Sequence, residues 1–322
     1  CYTECMIDFY SLPEENLPIS MRIFRKMLHE RGWKAEKLTP DWSNDLILTR
    51  PDGKEIRVSS STPPTTSVFA LHLADNKLES YSLLEQLGVP QPETLVVKSP
   101  EDAQQLLDKY GTIVIKPVDG AHGRGVTTGI TQPDQVGSAI QKAVGASPNM
   151  KMAIMQPQLP LDALELRIIC IDYHFVEAIA RIPAQVTGDG KHSLIELIDL
   201  ENTTIRTKPY KGDLAYIDRS MAQNFLGDRQ GEIPAAGEKV RVVSSCNVGQ
   251  GGTAKDYSSL ITDKMKVMSE EIAKAAQLPV IGIDFYGDQV IEFNACPMLY
   301  YPTSDATATK AVAAYVDYLA QL

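Results

Sequence analysis

The chain has 322 residues, of which 43% are hydrophobic and 22% charged, and its formal net charge at pH 7 is −10. This length exceeds what one hydrophobic core usually holds, so two or three subdomains are expected. The acidic balance argues against a nucleic-acid-binding protein, because that role needs a basic surface. No apolar run is long enough to span a membrane, and no signal-like segment opens the chain. The five cysteines show no metal-site spacing, which favours reduced thiols in a cytoplasmic protein.

The first 70 residues are predicted to form a small α/β lead domain. Apolar residues recur at helical spacing between Ile19 and Leu28 and predict an amphipathic helix that ends at Gly32. A turn signal, Pro51-Asp52-Gly53, separates two predicted strands at residues 46–50 and 55–59. The run at residues 59–67, rich in serine, threonine and proline, indicates a connection to the next domain.

A glycine-rich segment follows a predicted buried strand at residues 112–117. The strand, TIVIKP, carries Lys116 near its end and leads into DGAHGRGV. Glycines let backbone N–H groups approach an anion closely, and the lysine adds positive charge. The spacing matches neither the Walker A nor the Rossmann phosphate-binding pattern. A single turn of this kind is more often structural, and with a strand predicted at 126–130 it indicates a flap-like hairpin.

Helices and strands alternate along the rest of the chain, which predicts an α+β fold. The predicted helices cover residues 76–87, 100–110, 132–144, 257–277 and 308–319. The predicted strands cover residues 152–156, 165–171, 174–181 and 239–244. Residues 187–235 are predicted to be polar and irregular. Their basic side chains at 203–230 suit a bound carboxylate, although a solvated loop is the default interpretation.

Carboxylate and amide side chains are concentrated in a predicted hairpin at residues 280–294, which we call the acidic hairpin. Its first strand carries Asp284, and its second carries Glu292 and Asn294, which share one face because strand side chains alternate. Oxygen ligands of this kind suit Mg²⁺ bound together with nucleotide phosphates. A hairpin with a merely solvated polar face is the alternative interpretation.

The connection between the two strands decides whether this metal site can form. A two-residue connection, Gly287-Asp288, would place Asp284 opposite Ile291 and turn Glu292 to the other face. The metal site therefore requires a connection with an odd number of residues, most simply residues 286–288. Asp284 would then lie opposite Val290, with Glu292 as its diagonal neighbour on the same face.

The order of these motifs resembles that of the ATP-grasp carboxylate–amine ligases, most closely the ATP-grasp modules of cyanophycin synthetase and bifunctional glutathione synthetase. The resemblance covers residues 70–300 and rests on ADNKLESYSLLEQLGVPQPE, IVIKPVDGAHGRGV, LRIIC, EAIARIPAQVTGDGKHSLIELI, NVGQGGTAKD, GIDF and IEFNACP. It implies the ATP-grasp fold, an α+β fold in which two α/β subdomains clamp ATP. The implied divisions are a lead domain at 1–70, an N-terminal subdomain with the flap at 71–155, and a C-terminal subdomain with the acidic hairpin at 156–322.

The resemblance also implies a role for individual residues. Those that contact ATP are Lys77 and Lys116 on the phosphates, Gly120, His122, Gly123, Arg124 and Gly125 in the closing loop, Gln156 at the adenine hinge, and Glu165 on the ribose. Gln156 lies where members of the family usually have an acidic residue at the adenine hinge. Catalytic roles fall on Arg167 and Arg181, which face phosphate or the reacting carboxylate, and on Asn247 beside the acyl intermediate. The magnesium ligands are Asp284, Glu292 and Asn294. Taken singly, a strand arginine more often makes a surface ion pair.

The implied activity is an ATP-dependent ligation that forms an amide through an acyl phosphate and releases ADP and phosphate. The implied cofactors are ATP and Mg²⁺, with two ions and with Mn²⁺ as a substitute. The expected substrates are amino acids or short peptides, nucleic-acid and membrane partners are not expected, and a homo-oligomer is compatible with the pattern. A nucleotide-binding regulatory module without turnover is the alternative. A phosphotransferase or carboxylase on the same scaffold would be distinguished by its products.

Overall fold

The computed structural model describes residues 6–37, 45–120, 123–207, 216–246, 248, 251–301 and 310–322. The helices are α1 (Ile19–Glu30), α2 (Val68–Asp75), α3 (Lys77–Gln86), α4 (Gln104–Tyr110), α5 (Val136–Ala146), α6 (Leu194–Thr207), α7 (Arg219–Leu226), α8 (Asp263–Ala275) and α9 (Lys310–Gln321). The strands are β1 (Ile7–Asp8), β2 (Lys34–Lys37), β3 (Asp45–Thr49), β4 (Glu55–Ser59), β5 (Leu95–Val97), β6 (Ile113–Pro117), β7 (Thr127–Ile130), β8 (Ala153–Pro157), β9 (Glu165–Ile171), β10 (His174–Ile182), β11 (Gln185–Thr187), β12 (Lys239–Arg241), β13 (Thr253–Asp256), β14 (Val280–Tyr286) and β15 (Gln289–Asn294).

The chain divides into two compact units. The first unit contains residues 1–70, 166–283 and 294–322, and the second contains residues 71–165 and 284–293. In the described ranges, no helix is both long and apolar enough to cross a bilayer.

The first unit opens with a sheet of strand order β1-β2-β3-β4. Strands β3 and β4 pair antiparallel with Leu46 opposite Val58, so the predicted turn at residues 51–53 closes a hairpin. Helix α1 buries Phe24 and Leu28, and the Phe24 ring stacks on Tyr315 of α9 with 5.8 Å between ring centroids. The apolar spacing that predicted α1 therefore marks the face that joins the core of this unit.

A second sheet has the strand order β13-β10-β9-β14-β15, and the division between the units falls within β14, after Ile283. Strands β10 and β13 pair antiparallel, with Arg181 opposite Ala254. Helix α8 begins later than predicted, because Thr262 caps it by accepting a hydrogen bond from the Met265 N–H. The predicted helix start at residue 257 is therefore wrong.

Residues 187–235 are not irregular as predicted, since they contain α6 and α7. These helices and the antiparallel pair β11 and β12 enclose a small core with Leu194, Ile198 and Leu226 buried in it. Residues 194, 197 and 198 have helical spacing, but the polar residues around them hid this short apolar face. The strand predicted at 239–244 is also shorter and ends at Arg241.

The second unit is built on a sheet of strand order β5-β8-β6-β7, in which β6 pairs antiparallel with both β7 and β8. One face of the sheet packs against α4 and α5 and buries Ile113, Ile115 and Met155. Because side chains alternate along a strand, Lys116 and Gln156 point to the other face. The predicted end of α4 is confirmed at Gly111, whose φ is +73°.

Candidate active site

Lys77 connects three parts of the second unit. Its backbone N–H donates to the Val118 carbonyl at 3.0 Å and fixes the start of α3 beside the end of β6. Its Nζ donates to the Gly120 carbonyl at 3.2 Å and lies 3.4 Å from Glu292 Oε1. The predicted phosphate-binding lysine thus lies between the glycine-rich loop and the acidic hairpin.

Lys116 reaches the same region from β6. Its Nζ donates to Tyr81 Oη at 3.0 Å, and Tyr81 Oη donates to the Ile291 carbonyl at 2.5 Å. Burial lowers the pKa of Lys116 to about 8, and the nearby Glu292 carboxylate opposes this shift. An anionic phosphate beside Lys116 would restore its positive charge.

Tyr81 was not predicted from the sequence, yet its phenol joins the predicted residues to each other. It lies within hydrogen-bonding reach of Gln156 as well as Lys116 and the Ile291 carbonyl. Burial raises the pKa of Tyr81 well above its ordinary value, so the phenol stays protonated and donates. Tyr81 lies in the segment ADNKLESYSLLEQLGVPQPE that carries the resemblance, but its partners are distant in the sequence and only the fold reveals them.

The glycine-rich loop between β6 and β7 is anchored at both ends. Gly120, Gly123 and Gly125 all have positive φ, as a tight backbone cradle requires. A β-carbon on Gly125 would lie 2.5 Å from Ala146 Cβ of α5, so only glycine fits there. Arg124 is exposed, and the predicted loop residue His122 lies outside the described residues.

Asp119 anchors the start of this loop and was also missed. Its carboxylate accepts hydrogen bonds from Ser147 Oγ and from the Asn149 and Met150 N–H groups. Burial alone would raise the pKa of Asp119, but these hydrogen bonds outweigh it and the pKa is lowered. In the sequence, Asp119 directly precedes Gly120, a pair that is typical of a turn in which the aspartate accepts backbone hydrogen bonds.

Gln156, the predicted adenine-hinge residue, is buried on β8. Its Nε2 donates to Thr94 Oγ1 at 2.6 Å. A cleft of about 680 Å³ lies within the second unit and is lined by Tyr81, Thr94 and residues 157–159 that directly follow Gln156. The predicted ribose ligand Glu165 begins β9 and is half-buried.

The acidic hairpin differs from the expected form in its connection. Strand β14 ends at Tyr286 and β15 begins at Gln289, so the connection has two residues rather than an odd number. Gly287, in this connection, has a positive φ of +63°. Asp284 is buried, and Glu292 forms the ion pair with Lys77.

Two backbone groups of β15 beside Glu292 form hydrogen bonds with distant parts of the second unit. The Val290 N–H donates to the Pro90 carbonyl at 2.9 Å, and the next residue, Ile291, accepts from Tyr81. In a regular antiparallel strand, the polar groups of consecutive residues point to opposite sides. Within the described residues, no three His, Cys, Asp or Glu side chains gather into a metal-binding group.

Arg167 and Arg181 lie in the first unit. Arg167 is buried on β9 and its Nη1 donates to Tyr301 Oη at 3.4 Å. Tyr301 also packs on Ile179, which shares a face of β10 with Arg181 because the two are separated by one residue. Tyr301 therefore contacts Arg167 directly and packs on the face of β10 that carries Arg181. The third predicted catalytic residue, Asn247, lies outside the described residues.

Two basic side chains of the 203–230 region form exposed ion pairs. Arg219 lies 2.8 Å from Asp199, and Arg229 lies 2.8 Å from Glu232. Such pairs stabilise a surface only slightly.

Comparison with known proteins supports the predicted class. Residues 77–197 match the family model of the ATP-grasp domain of prokaryotic glutathione synthetase. Cyanophycin synthetase of Crocosphaera subtropica is 27% identical over 289 residues, which cover 82% of this chain and 32% of that protein. The glutathione biosynthesis bifunctional protein of Desulfotalea psychrophila is 22% identical over 291 residues, covering 88% of this chain and 37% of the relative.

The fold has a counterpart among solved structures. The crystal structure of a bifunctional glutathione synthetase from Pasteurella multocida aligns with a TM-score of 0.63 and 20% identity, over 96% of this chain and 44% of that one. The chain thus has the ATP-grasp fold, and the predicted α+β class is confirmed. Within that class, residues 77–197 are similar to the ATP-grasp domain of prokaryotic glutathione synthetase. The chain spans about 32% of the length of the first curated relative it matches.

Proposed function

We propose that the protein is an ATP-dependent ligase that joins a carboxylate to an amine through an acyl phosphate and releases ADP and phosphate. The observation that carries the proposal is the arrangement around Tyr81 in the second unit. There Lys116, Gln156 and the Ile291 carbonyl meet at one phenol, and Lys77 bridges the glycine-rich loop and Glu292. Cations beside a glycine cradle suit a bound polyphosphate.

The roles of the charged residues follow from the charge that the reaction develops. A carboxylate that attacks the γ-phosphate of ATP brings two anions together, so Lys77 and Lys116 hold the phosphates, and Arg181 and Arg167 offset the charge in the transition state. The amine then attacks the acyl phosphate carbon, the C–N bond forms, and phosphate leaves. The glycine-rich loop, 118–126, excludes water from this intermediate.

Magnesium would supply electrostatic stabilisation of the phosphates when bound. The donor set fits it, because Asp284, Glu292 and Asn294 offer only hard oxygen ligands. The Asn294 amide nitrogen is buried without a hydrogen-bond partner among the described residues, and turning the amide would present its oxygen instead. We assign two ions, with Mn²⁺ as a substitute.

We propose a bulge in β15, which would reconcile this ligand set with the two-residue connection. One extra residue at 290–291 would account for two consecutive residues bonding away from regular pairing. It would also return Glu292 to the face of Asp284. The length of the connection alone does not reveal a bulge of this kind.

The remaining assignments rest on the family likeness. We propose the division into 1–70, 71–155 and 156–322, adenine next to Gln156, ribose at Glu165, and the acyl intermediate beside Asn247. We assign amino acids or short peptides as substrates, the cytoplasm as the compartment, and a homo-oligomer as the assembly. Both lysines and both carboxylates are retained, which favours an active enzyme over a regulatory module.

The test is a substrate screen that follows phosphate release. Pairs of amino acids and short peptides are incubated with ATP and Mg²⁺, and the products are identified by mass spectrometry. We expect a new amide for at least one pair, with phosphate release lost in Glu292→Gln and retained in Glu271→Gln, an exposed glutamate of α8. ATP hydrolysis without any amide across the screen would contradict the proposal.

A further inference from the structure

An apolar pocket of about 220 Å³ lies wholly within the first unit. Its walls are the Met21 and Phe24 side chains of α1 and the Val312 and Tyr315 side chains of α9. Ser20, Ser60, Ser61 and residues 296–299 complete the lining. The volume equals roughly seven water molecules in the liquid, enough for a leucine or phenylalanine side chain.

One wall of this pocket leads directly to a candidate catalytic arginine. A β-carbon placed on Gly282 would lie 2.8 Å from Pro297 Cβ and 3.0 Å from Arg167 Cδ. Pro297, which lines the pocket, and the Arg167 side chain therefore pass over the same glycine. A molecule whose apolar part fills the pocket could place a carboxylate near Arg167.

We propose that this pocket binds the apolar side chain of an amino-acid substrate whose carboxylate is held by Arg167. This inference rests on the ligase function proposed above and names its substrate class, an amino acid with a branched aliphatic or aromatic side chain. The bound side chain would pack against the stacked rings of Phe24 and Tyr315 and the Val312 methyl groups. Burial of this side chain should favour leucine or phenylalanine over alanine by about 10-fold or more.

The lining also predicts which amino acids the pocket should reject. None of the described residues that line the pocket carries a charge, and the polar groups at its edge are hydroxyls and one thiol. A buried carboxylate or guanidinium needs an opposite charge to offset its desolvation. Aspartate and arginine side chains would find none here.

Cys296 provides a direct measure of occupancy, because it is an exposed thiol that lines the pocket. Cys170 and Cys246 are buried, so they should react slowly. Peptide mapping separates any labelling at these positions from labelling at Cys296.

The experiment measures the rate of Cys296 alkylation by iodoacetamide in the full chain, without ATP. Millimolar L-phenylalanine and L-leucine should slow alkylation several-fold, whereas L-alanine, L-aspartate and L-arginine should not. Equal rates with all five amino acids, or stronger protection by a charged one, would overturn the substrate class.

A variant whose pocket is filled by a larger side chain shows whether protection of Cys296 requires binding in the pocket. Ser20→Leu places a side chain inside the pocket and should remove the protection by phenylalanine, while Ser138→Leu on the exposed face of α5 should keep it. Both variants are checked by thermal unfolding, and Arg167→Lys should weaken protection while leaving the fold intact. Protection that survives in Ser20→Leu would overturn the proposal.

The assay distinguishes this inference from the ligase function. Protection by phenylalanine without any ATP-dependent amide would support the pocket and contradict the ligase. Amide formation with charged amino acids but no protection by apolar ones would support the ligase and contradict the assigned substrate class.

Discussion

Tyr81 shows how a single side chain organises the candidate nucleotide site. Its phenol is buried, donates to the Ile291 carbonyl at 2.5 Å and accepts from Lys116 at 3.0 Å. Removing one partner of a buried hydrogen bond leaves the other partner unsatisfied, which costs more than the bond itself contributes. The position of Lys116 therefore depends on Tyr81.

Tyr81→Phe should raise the KM for ATP about 3- to 10-fold with a smaller effect on kcat, because Lys116 loses its fixed position. The stability loss should be on the order of 1 kcal/mol. Steady-state kinetics and denaturant unfolding measure the two effects. Tyr10→Phe is the matched control, since it removes a 2.6 Å bond from a phenol to the Trp33 carbonyl in the first unit. The same rise in KM in both variants would show that general destabilisation is the cause.

Binding of ATP should take up a proton at alkaline pH. The pKa of Lys116 is lowered to about 8 by burial, so at pH 9 the free protein holds most of this side chain uncharged. Nearby phosphates favour the charged form, and Lys116 must then gain a proton. Titration calorimetry at pH 9 in buffers of different ionisation enthalpy measures the uptake. Lys116→Arg, which stays charged, should abolish it, and equal uptake in both proteins would refute the assignment.

At the scale of elements, two glycines with nearly the same backbone conformation can be compared, Gly125 in the glycine-rich loop and Gly129 in β7. Gly125 and Gly129 have φ values of +77° and +72°. A β-carbon on Gly125 would lie 2.5 Å from Ala146 Cβ, whereas one on Gly129 would meet nothing within 4 Å. Substitution by alanine should therefore cause similar backbone strain at both positions, but a steric clash only at Gly125.

Gly129→Ala should destabilise the protein by about 1 kcal/mol, from backbone strain alone. Gly125→Ala should cost roughly 3 kcal/mol and raise the KM for ATP, because the loop must also move away from α5. Urea unfolding and ATP kinetics of the two variants test this. Equal losses of stability would mean that the loop does not rest on α5.

Strand β10 carries a buried acid that the proposed reaction does not use. Glu177 is 2% exposed and faces Asp256 of β13, Lys310 at the start of α9 and the Ala311 N–H. Lys310 Nζ lies 3.3 Å from Asp256 Oδ2. Burial, and secondly Asp256, raise the pKa of Glu177 from 4.5 to about 8.

The native state therefore keeps a proton on Glu177 that the unfolded chain has released between pH 4.5 and about 8. Stability contributed by this group falls as pH rises through that window. Glu177→Gln should flatten the fall and stabilise the protein at pH 8 by on the order of 2 kcal/mol. Unfolding free energies from pH 5 to 8 test this, with the exposed Glu271→Gln as control. A wild-type curve that rises with pH across the window, unchanged in Glu177→Gln, would show that Glu177 is ionised in the folded protein.

Local signals in the sequence predicted most elements near the glycine-rich loop. Gly111 ends α4 where the sequence predicted it, because only a residue that accepts positive φ fits there. Helices α6 and α7 were missed because their buried residues, such as Leu194 and Leu226, stand among polar neighbours. The surroundings of β15 could not be predicted from the sequence, because its hydrogen bonds with Pro90 and Tyr81 join distant parts of the chain.

At the scale of the whole molecule, the charge distribution agrees with an anionic substrate bound at a few fixed cations. The net charge is −10, so the protein as a whole does not attract a polyanion. Lys77 and Lys116 therefore have to act locally, where burial strengthens their electrostatic effect. The motifs predicted a phosphate-binding role for these two lysines, whereas the hydrogen-bond partners of Tyr81 and Asp119 became visible only in the fold.

The central claim is that ATP activates a carboxylate as an acyl phosphate, and oxygen transfer tests it most directly. A carboxylic acid substrate found in the screen is labelled with ¹⁸O in its carboxyl group and turned over with ATP and the amine. The account predicts ADP as the nucleotide product and one ¹⁸O atom in the released inorganic phosphate, because a carboxylate oxygen attacks the γ-phosphate. Stoichiometric AMP with ¹⁸O in its phosphate, or unlabelled inorganic phosphate, would contradict it.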